Sequence, residues 1–569
     1  MDRVTEALLT EFSKQHEITA LPEETRFEHF AGYLAVQRHC SDTFDSDDIH
    51  TGGEDDTAID AIGITVNDSL VTDVETLLEQ ADKIGSLDVT FILVQAQRSP
   101  SFDGTKISNL GYGAVDFFSE NPKLKRNAKI KRAVELMNAL YERSSKFRPG
   151  NPICRLYYVT TGTWQDDENL RGRANSVVED LKALGLFRRV EFTPIDASRL
   201  QQLYRQATNA ITKEFNFANK SLVPDVPGVK EAYLGFIPAS EYLKIIQDDD
   251  GEIVGNLFSE NPRDWLDYNL VNEEIKKTLE SEARSRFVLM NNGVTIIAGT
   301  LKTTGNKFLI EDFSIVNGCQ TSHVLSDQKL SVDETVMVPI RLIATQDAVV
   351  MNDIIRGTNR QTEVTAEQFY ALQEFSKDLE AFCQAFPDEH KLYYERRTRQ
   401  YHRLPIEKTR IVTPANMIKA YAAMFLTEPH RTVRSYAALK ARFGTDIFAP
   451  GQKKEPYYTA AYMYYKLEFY FRNAKLDPTY KAARFHILLA ARILANPGQI
   501  PRANSNEMER FCKEIMGMLW DPDRLDNLIS LAVGIIDEAA EGKYERDNVH
   551  TEAFTAKVRA KAELAALRK

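Results

Sequence analysis

The feature that most constrains the fold is an alternation of short apolar strands and amphipathic helices over roughly the first 215 residues. Apolar residues at helical spacing predict an amphipathic helix over residues 23–39 and another near residues 167–185. Dense apolar and β-branched residues predict strands at residues 58–66, 88–97, 153–162 and 188–196. This alternation is typical of an α/β sandwich, in which helices cover a central sheet.

Polar side chains interrupt two of these strands. With a strand's period of two, Asp60 shares a face with apolar residues of its own strand, and Gln95 and Gln97 share a face with apolar residues of theirs. The interval between Asp60 and Gln95 is longer than a hairpin needs, so we expect an inserted helix over residues 73–84. An acid and two amides therefore lie on otherwise apolar rows.

Composition limits the class of protein. The chain has 569 residues, 43% of them hydrophobic and 27% charged, which predicts an ordinary soluble protein of two or three domains. Its net charge is −11, so contacts with nucleic acid must come from local basic patches. The five cysteines show no metal-ligand spacing and indicate reduced thiols in a cytoplasm. The longest apolar run, residues 486–495, is short and contains Arg492, so we expect no membrane segment.

We expect three domains with different secondary structure. Residues 1–218 form the α/β unit, and residues 219–233 have the Pro/Gly composition of a linker. Residues 230–445 mix strands and helices, with strands expected over residues 287–301, 308–316 and 336–345. Residues 456–569 are expected to be mostly α-helical.

The order of acids and amides in the first domain resembles the PD-(D/E)xK nuclease superfamily. The resemblance implies a nuclease-like fold in which Glu28, Asp60 and Gln95 are catalytic residues that hold Mg²⁺ or Mn²⁺, and Gln97 occupies the place of the superfamily's lysine. A glutamine carries no positive charge, so Lys106 or Arg98 could supply the cation from elsewhere.

The acidic segment before Asp60 has two interpretations. Either Asp55 or Asp56 assists metal binding, or the segment is a solvated loop. Outside these residues, the sequence has no GxxxxGK[ST], HExxH or GxSxG motif, and its histidines form no ligand pair at metal spacing.

Three strings in the middle of the chain are more specific. They are "FVLMNNGVTIIA" at residues 287–298, "IVNGCQTSHVL" at 315–325 and "RGTNRQTEV" at 356–364. Their order and spacing resemble the AIPR family of abortive-infection phage-resistance proteins over about residues 230–410, and that resemblance implies an anti-phage role. Asn-Gly pairs favour positive φ, so we expect strand-ending turns at Asn292-Gly293 and Asn317-Gly318.

The same region also resembles the nucleotide-binding part of ParB/sulfiredoxin-type proteins. That resemblance implies a nucleotide or a nucleic-acid phosphate held by a set of residues on turns and helix starts: Asn317, Gly318, Gln320, Thr321, Arg356 and Asn359. The alternative is that these polar side chains only satisfy backbone groups in turns.

Two basic stretches could bind DNA or RNA. In residues 391–410, arginines alternate with tyrosines, a mixture suited to phosphates and stacked bases. Residues 123–148 predict a helix with a cationic face. The expected nucleic-acid contacts are Lys125, Arg126, Lys129, Tyr394, Arg396, Arg397 and Arg399. The alternative is a solvated charged surface.

Together these patterns and the two family resemblances imply a cytoplasmic defence protein that senses a phage-derived trigger and cuts nucleic acid with a divalent metal. Because such a toxin must be restrained, we expect a homo-oligomer or an autoinhibited site. Two other functions stay open, namely a sensor whose nuclease fold has lost catalysis, which Gln97 favours, and a nucleotide hydrolase centred on Gln320 and Asn359.

Overall fold

A computed structural model describes most of the chain. The described residues are 1–40, 42–83, 86–148, 150–208, 211–248, 251, 253–258, 270–328, 333–358, 366–396, 400–401, 404–432 and 447–567. Among the strands expected from the sequence, those of the first unit and the last two of the middle unit are present with bounds shifted by a few residues.

The first unit is built on a five-stranded sheet. Its strands are β1 (Ala61–Val66), β2 (Ser69–Leu70), β3 (Val89–Gln97), β4 (Ile153–Thr160) and β5 (Arg189–Ile195). They lie in the order β2-β1-β3-β4-β5, with β1 antiparallel to β3 and with β3, β4 and β5 parallel. Ala61 pairs with Val94, so the start of β1 lies beside the end of β3. That register brings Asp60 to the edge of the sheet where Gln95 and Gln97 lie.

Helices cover both faces of this sheet. On one face are α1 (Arg3–Gln15), α2 (Glu23–Gln37) and α7 (Ala197–Thr208). On the other are α3 (Val74–Lys83), α4 (Gly104–Phe117), α5 (Ala128–Tyr141) and α6 (Glu168–Ala183). Phe91 and Leu93 pack into one core while Ile92 and Val94 pack into the other, as the period of two predicts. The result is a three-layer α/β unit.

A six-stranded sheet forms the middle of the chain. Its strands are β6 (Thr212–Asn216), β7 (Asn219–Leu222), β8 (Glu231–Pro238), β9 (Val294–Thr304), β10 (Lys307–Asn317) and β11 (Met337–Ala344), in the order β6-β10-β9-β11-β8-β7. Its helices are α8 (Ala239–Ile246), α9 (Leu270–Glu280), α10 (Phe287–Met290), α11 (Cys319–Asp327) and α12 (Ala348–Thr358).

This sheet begins earlier than the boundary at residue 218 that the sequence suggested. Phe215 and Phe217 are buried, with ring centroids 5.9 and 5.4 Å from that of Phe308, and β6 pairs with β10. Residues 219–222, expected in a linker, form the edge strand β7. Burial of aromatic rings therefore decides the start of the middle unit, and the Pro/Gly segment is a loop within it.

The strand expected over residues 287–301 is shorter than predicted. Phe287–Met290 form the helical turn α10, and β9 starts at Val294. Gly293 has φ 81°, and its N–H donates to Asn291 Oδ1 at 2.8 Å, so the Asn-Gly turn leads into a strand instead of ending one. Gly318, with φ 103°, follows β10 as expected.

The last part of the chain is mostly helical. Its helices are α13 (Ala366–Gln384), α14 (Pro414–Phe425), α15 (Glu455–Arg472), α16 (Arg484–Ala495), α17 (Asn506–Leu519), α18 (Pro522–Ala540), α19 (Arg546–Val549) and α20 (Glu552–Ala566), with a two-stranded pair β12 (Tyr393–Tyr394) and β13 (Ile411–Val412). One apolar core runs from Phe375 to Ala562, so this unit begins well before residue 456. Within the described ranges, no helix has the length and apolar run needed to cross a membrane.

The helical unit packs against the first unit through buried charges. Arg472, whose side chain is 1% exposed, pairs with Asp45 and lies 3.6 Å from Glu17. Glu17 also accepts from the hydroxyl of Tyr465 at 2.7 Å. Lys481 pairs with Asp47 at 2.5 Å. We call this contact, formed by Glu17, Asp45 and Asp47 with Arg472 and Lys481, the charged interface.

Candidate functional site

A strained loop leads into β1. Asp55, Thr57 and Ala58 have φ values of 58°, 58° and 62°, in a region that non-glycine residues seldom occupy. The loop is held because Thr51 N–H and Gly52 N–H donate to the carbonyl of Asp60 at 2.8 and 3.1 Å. Strain of this kind persists only where the surroundings enforce it, and it is common at functional sites.

Asp60 lies at the end of this loop and is 4% exposed. Its Oδ2 accepts a hydrogen bond from Ala96 N–H at 2.6 Å and one from Gln95 Nε2 at 3.3 Å. Gln95 is 7% exposed, and among the described residues its Oε1 is buried without a hydrogen-bond partner. A buried carbonyl oxygen without a partner is uncommon, so this atom marks a place for a cation or a donor.

Two further carboxylates surround Asp60. Burial, together with the charges of Glu28 and Asp56, raises the pKa of Asp60 to about 8. Burial also raises the pKa of Glu28 and that of Asp56. We call Glu28, Asp56, Asp60 and Gln95 the acidic site. Glu28 also contributes to the rise in the pKa of Asp56, and carboxylates grouped in this way form a place where a bound cation would be stabilised.

Glu28 reaches the acidic site from α2. Its Oε2 accepts a hydrogen bond from His50 Nε2 at 2.9 Å. A Cβ atom on Gly52 would collide with the same oxygen, so only a glycine leaves room for Glu28 at this point of the loop. The helix and the loop thus fix one oxygen of Glu28.

Gln97 and Lys106 complete the surroundings of the site. Gln97 Oε1 accepts a hydrogen bond from the hydroxyl of Tyr158 at 3.1 Å. Lys106, near the start of α4, lies close enough to Asp56 to oppose the rise in that residue's pKa. Arg98 instead lies at the surface, 3.3 Å from Glu23. Of the two cations considered from the sequence, Lys106 is the one near the acids.

A second group of possible ligands lies behind Glu28. The ligand atoms of His29, Asp47 and His50 all lie within 4.8 Å of one another, which the sequence spacing did not reveal. However, Lys129 Nζ is 3.1 Å from both Asp47 Oδ1 and His50 Nδ1, and Lys481 pairs with Asp47. Burial would raise the pKa of Asp47, but the two ammonium groups hold it well below its usual value. Two lysines therefore occupy the position where a metal ion would need open ligands.

The residues expected to hold a nucleotide are engaged with the protein where the structure describes them. Asn317 Nδ2 donates to the carbonyl of Thr358 at 3.0 Å, and Thr321 Oγ1 accepts from Asn291 Nδ2 at 2.9 Å. Gly318 precedes α11, and Gln320 lies in its first turn. These contacts satisfy Asn317 and Thr321 without a ligand. The backbone of Arg356 lies in α12, and Asn359 is outside the described residues.

The two basic stretches differ from the expected cationic surfaces. Lys125 is exposed, but Arg126 is held by the carbonyls of Asp116 and Phe117, and Lys129 points toward Asp47. Because Arg126 and Lys129 are held by acceptors within the protein, only Lys125 of these three side chains is exposed as the sequence predicted.

The Tyr/Arg stretch is also engaged inside the molecule. Tyr394 is 3% exposed and packs in the helical core, so its ring is not available to stack on a base. Arg396 pairs with Glu380. Arg397 and Arg399 lie outside the described residues.

A cavity of about 850 Å³ lies beside the charged interface, away from the acidic site. Its lining comes from the first unit, from the region of β12 and β13, and from α14 and α15. Carboxylates outnumber Lys and Arg side chains in that lining, so its charge does not favour a phosphate group.

Fold and site together define a three-part protein: an α/β unit with an acidic site at a sheet edge, a mixed α/β unit and a helical unit. Residues 258–495 match the model of the family described as AIPR protein, so the chain carries an AIPR region that covers most of the middle unit and the first part of the helical unit. Searches of curated proteins and of solved structures found no match. Lys481 and Arg472 of the charged interface both belong to the AIPR region.

Proposed function

We propose that the protein is a bacterial anti-phage protein of the abortive-infection type whose first unit cuts nucleic acid with a divalent metal ion. The AIPR region supports the defence role. The observation that carries the nuclease role is the acidic site, in which Asp60 lies near Glu28 and Asp56 and is hydrogen-bonded to Gln95, whose Oε1 has no hydrogen-bond partner among the described residues.

The donor atoms suit Mg²⁺ or Mn²⁺. Both ions prefer carboxylate and carbonyl oxygens, and the acidic site offers oxygen ligands from Glu28, Asp56, Asp60 and Gln95. When bound, such an ion polarises a phosphate and lowers the pKa of an attacking water. A cation would also relieve the repulsion from Glu28 and Asp56 that adds to the effect of burial on the pKa of Asp60.

The other side chains of the site have separate roles. Lys106 places an ammonium beside Asp56, where it would stabilise negative charge that develops on the phosphate. Gln97 is held by Tyr158 and cannot supply a positive charge. In this proposal Lys106 replaces the lysine that the superfamily carries at the position of Gln97.

The AIPR region would sense the phage trigger and pass the signal through the charged interface. Arg472 and Lys481 belong to that region and contact the first unit directly. We also propose that a homo-oligomer or an autoinhibited state restrains the nuclease at rest.

The test is cleavage of plasmid DNA, single-stranded DNA and RNA by the purified full-length protein with Mg²⁺ or Mn²⁺, with and without added nucleoside triphosphates. The decisive variant is Asp60→Asn, which keeps the shape of the side chain and removes its charge. The matched control is Asp166→Asn, an exposed acid of the same unit that pairs only with Arg171 at the surface in the described structure.

We expect cleavage by the wild type and by D166N and none by D60N. Equal cleavage by D60N would contradict the proposal. The Gln97–Tyr158 contact favours a second candidate, a sensor that binds nucleic acid without cutting it. Binding of the same nucleic acids without cleavage under every condition would support that sensor. Triphosphate hydrolysis that survives in D60N would instead support a nucleotide hydrolase.

A further inference from the structure

Four side chains connect the acidic site to the AIPR region. Starting from the acidic site, they are His50, Lys129, Asp47 and Lys481. The contacts are His50 Nε2 to Glu28 Oε2 at 2.9 Å, Lys129 Nζ to His50 Nδ1 at 3.1 Å, Lys129 Nζ to Asp47 Oδ1 at 3.1 Å, and Lys481 Nζ to Asp47 Oδ2 at 2.5 Å. We call this set the brace. His50, Asp47 and Lys481 are all more than nine-tenths buried.

We propose that Lys481 of the AIPR region is a positioning residue for the metal site, acting through Asp47, Lys129 and His50 on Glu28. The inference rests on the proposed function, because it assigns Glu28 to a metal-binding role. It adds that the helical unit completes the site of the first unit.

The chemistry of the donors gives the brace a direction. A lysine ammonium can only donate hydrogen bonds, so Nδ1 of His50 must accept from Lys129. The proton of the neutral ring then lies on Nε2, which donates to Glu28 Oε2. One oxygen of Glu28 is thereby held, and among the described residues the other has no hydrogen-bond partner and is available to a ligand. Outer hydrogen bonds of this kind orient metal-binding carboxylates and tune their affinity.

Lys481 matters because Asp47 is shared between two ammonium groups. While Lys481 pairs with Asp47, Lys129 is divided between Asp47 and His50. Without Lys481, Lys129 would be the one remaining described lysine partner of Asp47 and would be drawn toward it. The bond that fixes the His50 tautomer would weaken, and Glu28 would lose its orientation.

The test compares Lys481→Met with Lys475→Met in the full-length protein. Lys475 is an exposed lysine of the same helical unit that lies over the rings of Phe469 and Tyr470 and has no part in the brace. The readout is Mn²⁺ affinity, measured by electron paramagnetic resonance at constant pH and ionic strength. We expect K481M to weaken Mn²⁺ binding about 10-fold or more, within the range seen for outer-ligand changes, and K475M to leave it unchanged.

The sign of the effect separates positioning from simple electrostatics. Removing a positive charge near a metal site would strengthen cation binding, whereas loss of orientation weakens it. In a Glu28→Gln background K481M should cause no further loss, because the oxygen that it positions is already altered. Unchanged or tighter Mn²⁺ binding in K481M would overturn the inference.

Two further measurements protect the test against unfolding. If K481M does not fold, Lys481→Gln keeps a polar side chain at this buried position while removing the ammonium, and it is expected to weaken Mn²⁺ binding in the same direction. Nitrogen-15 NMR of histidine-labelled protein, with His50→Gln for assignment, should show the proton of His50 on Nε2 in the wild type and a tautomer mixture in K481M. A proton on Nδ1 in the wild type would contradict the brace.

Failure of the inference differs from failure of the proposed function. Mn²⁺ binding that is lost in D60N but intact in K481M would leave the metal site standing and remove the brace. No Mn²⁺ binding by the wild type, or binding unaffected by both D60N and E28Q, would remove the metal site itself and with it the role assigned to Lys481.

Discussion

At the residue scale, the dominant fact is that Asp60 is buried beside two other acids. Its pKa is raised to about 8 by burial and by Glu28 and Asp56, from an ordinary value of 3.8. The folded protein therefore holds a proton that the unfolded chain would release at neutral pH. Because the folded pKa is the higher one, this group's contribution to stability is complete below about pH 4 and is lost as the pH rises through about 8.

We expect Asp60→Asn to remove this pH dependence. In metal-free protein, the free energy of unfolding of D60N relative to wild type should increase between pH 5 and pH 8 by at least ~1.4 kcal/mol, the value of one pKa unit. Denaturant unfolding with a chelator present at the two pH values measures this difference, and titrations elsewhere in the chain cancel. A difference that shrinks toward pH 8 would mean that Asp60 is charged and paired.

Lys106 is expected to act on the reaction and not on metal binding. Lys106→Met should slow cleavage by about 10²–10³-fold, the usual cost of removing one group that stabilises developing charge, while Mn²⁺ affinity does not fall. Arg98→Met is the matched control, because Arg98 pairs with Glu23 at the surface and should leave the rate unchanged. Rates at saturating metal measure both. Slower cleavage by R98M together with a normal rate for K106M would show that Arg98, and not Lys106, supplies the cation.

The sequence predicted part of this site and missed the rest for a physical reason. Asp60 and Gln95 stood out because the period of two predicted each of them on an otherwise apolar row, and Glu28 was implied by the resemblance to the PD-(D/E)xK superfamily. His50 was not, since it lies in an irregular loop and its partner Glu28 comes from a helix. Lys481 is 434 positions from Asp47, and no local pattern predicts a contact over that distance.

At the element scale, the strained loop before β1 depends on close packing against α4. Gly113 in that helix lies against the loop, and a Cβ atom there would collide with the carbonyl of Thr57. The position of Asp56 and Asp60 thus depends on a helix that the sequence analysis had not assigned. Strand positions and period, in contrast, were readable, because alternating burial on a sheet leaves a direct mark on the sequence.

We expect Gly113→Ala to displace the loop. It should destabilise the protein by about 1–3 kcal/mol, as overpacking does, and should weaken Mn²⁺ binding. The matched control is Gly172→Ala in α6, where a Cβ atom meets nothing within 4 Å. That change should be neutral or stabilise by up to about 1 kcal/mol, because alanine is the better helix former. Equal melting temperatures for the two variants would contradict the packing argument.

At the scale of the whole molecule, buried charges join the first unit to the AIPR region. Arg472 carries two acidic partners from the first unit, Asp45 and Glu17, and its side chain is almost fully buried. Burial raises the pKa of Asp45 to about 6 although Arg472 opposes that rise. The sequence did not indicate this interface, because no local pattern shows which charged residues far apart in the chain will pair.

Arg472→Met should strongly destabilise the charged interface. Removing one partner of a buried pair typically costs about 3–5 kcal/mol, since the remaining charges stay buried. Arg524→Met is the control, because Arg524 is exposed and its pair with Asp521 should contribute less than about 1 kcal/mol. Calorimetry should show a lower or split unfolding transition for R472M alone. A single unshifted transition would mean that the two units unfold independently of this arginine.

The distance along the chain between the two ends of the brace has a consequence for synthesis on the ribosome. Asp47 and Lys481 are separated by 434 positions, which at roughly 5–20 residues per second corresponds to about 20–90 s of translation. In the later part of that time, once Thr208 has been made, the first unit is complete without the lysine that we propose positions Glu28. A truncated product of an interrupted message would carry the acids of the proposed nuclease but not the lysine that we propose aligns them. Under the proposed function, the long separation of these two residues in sequence would keep an unfinished chain from harming the host cell.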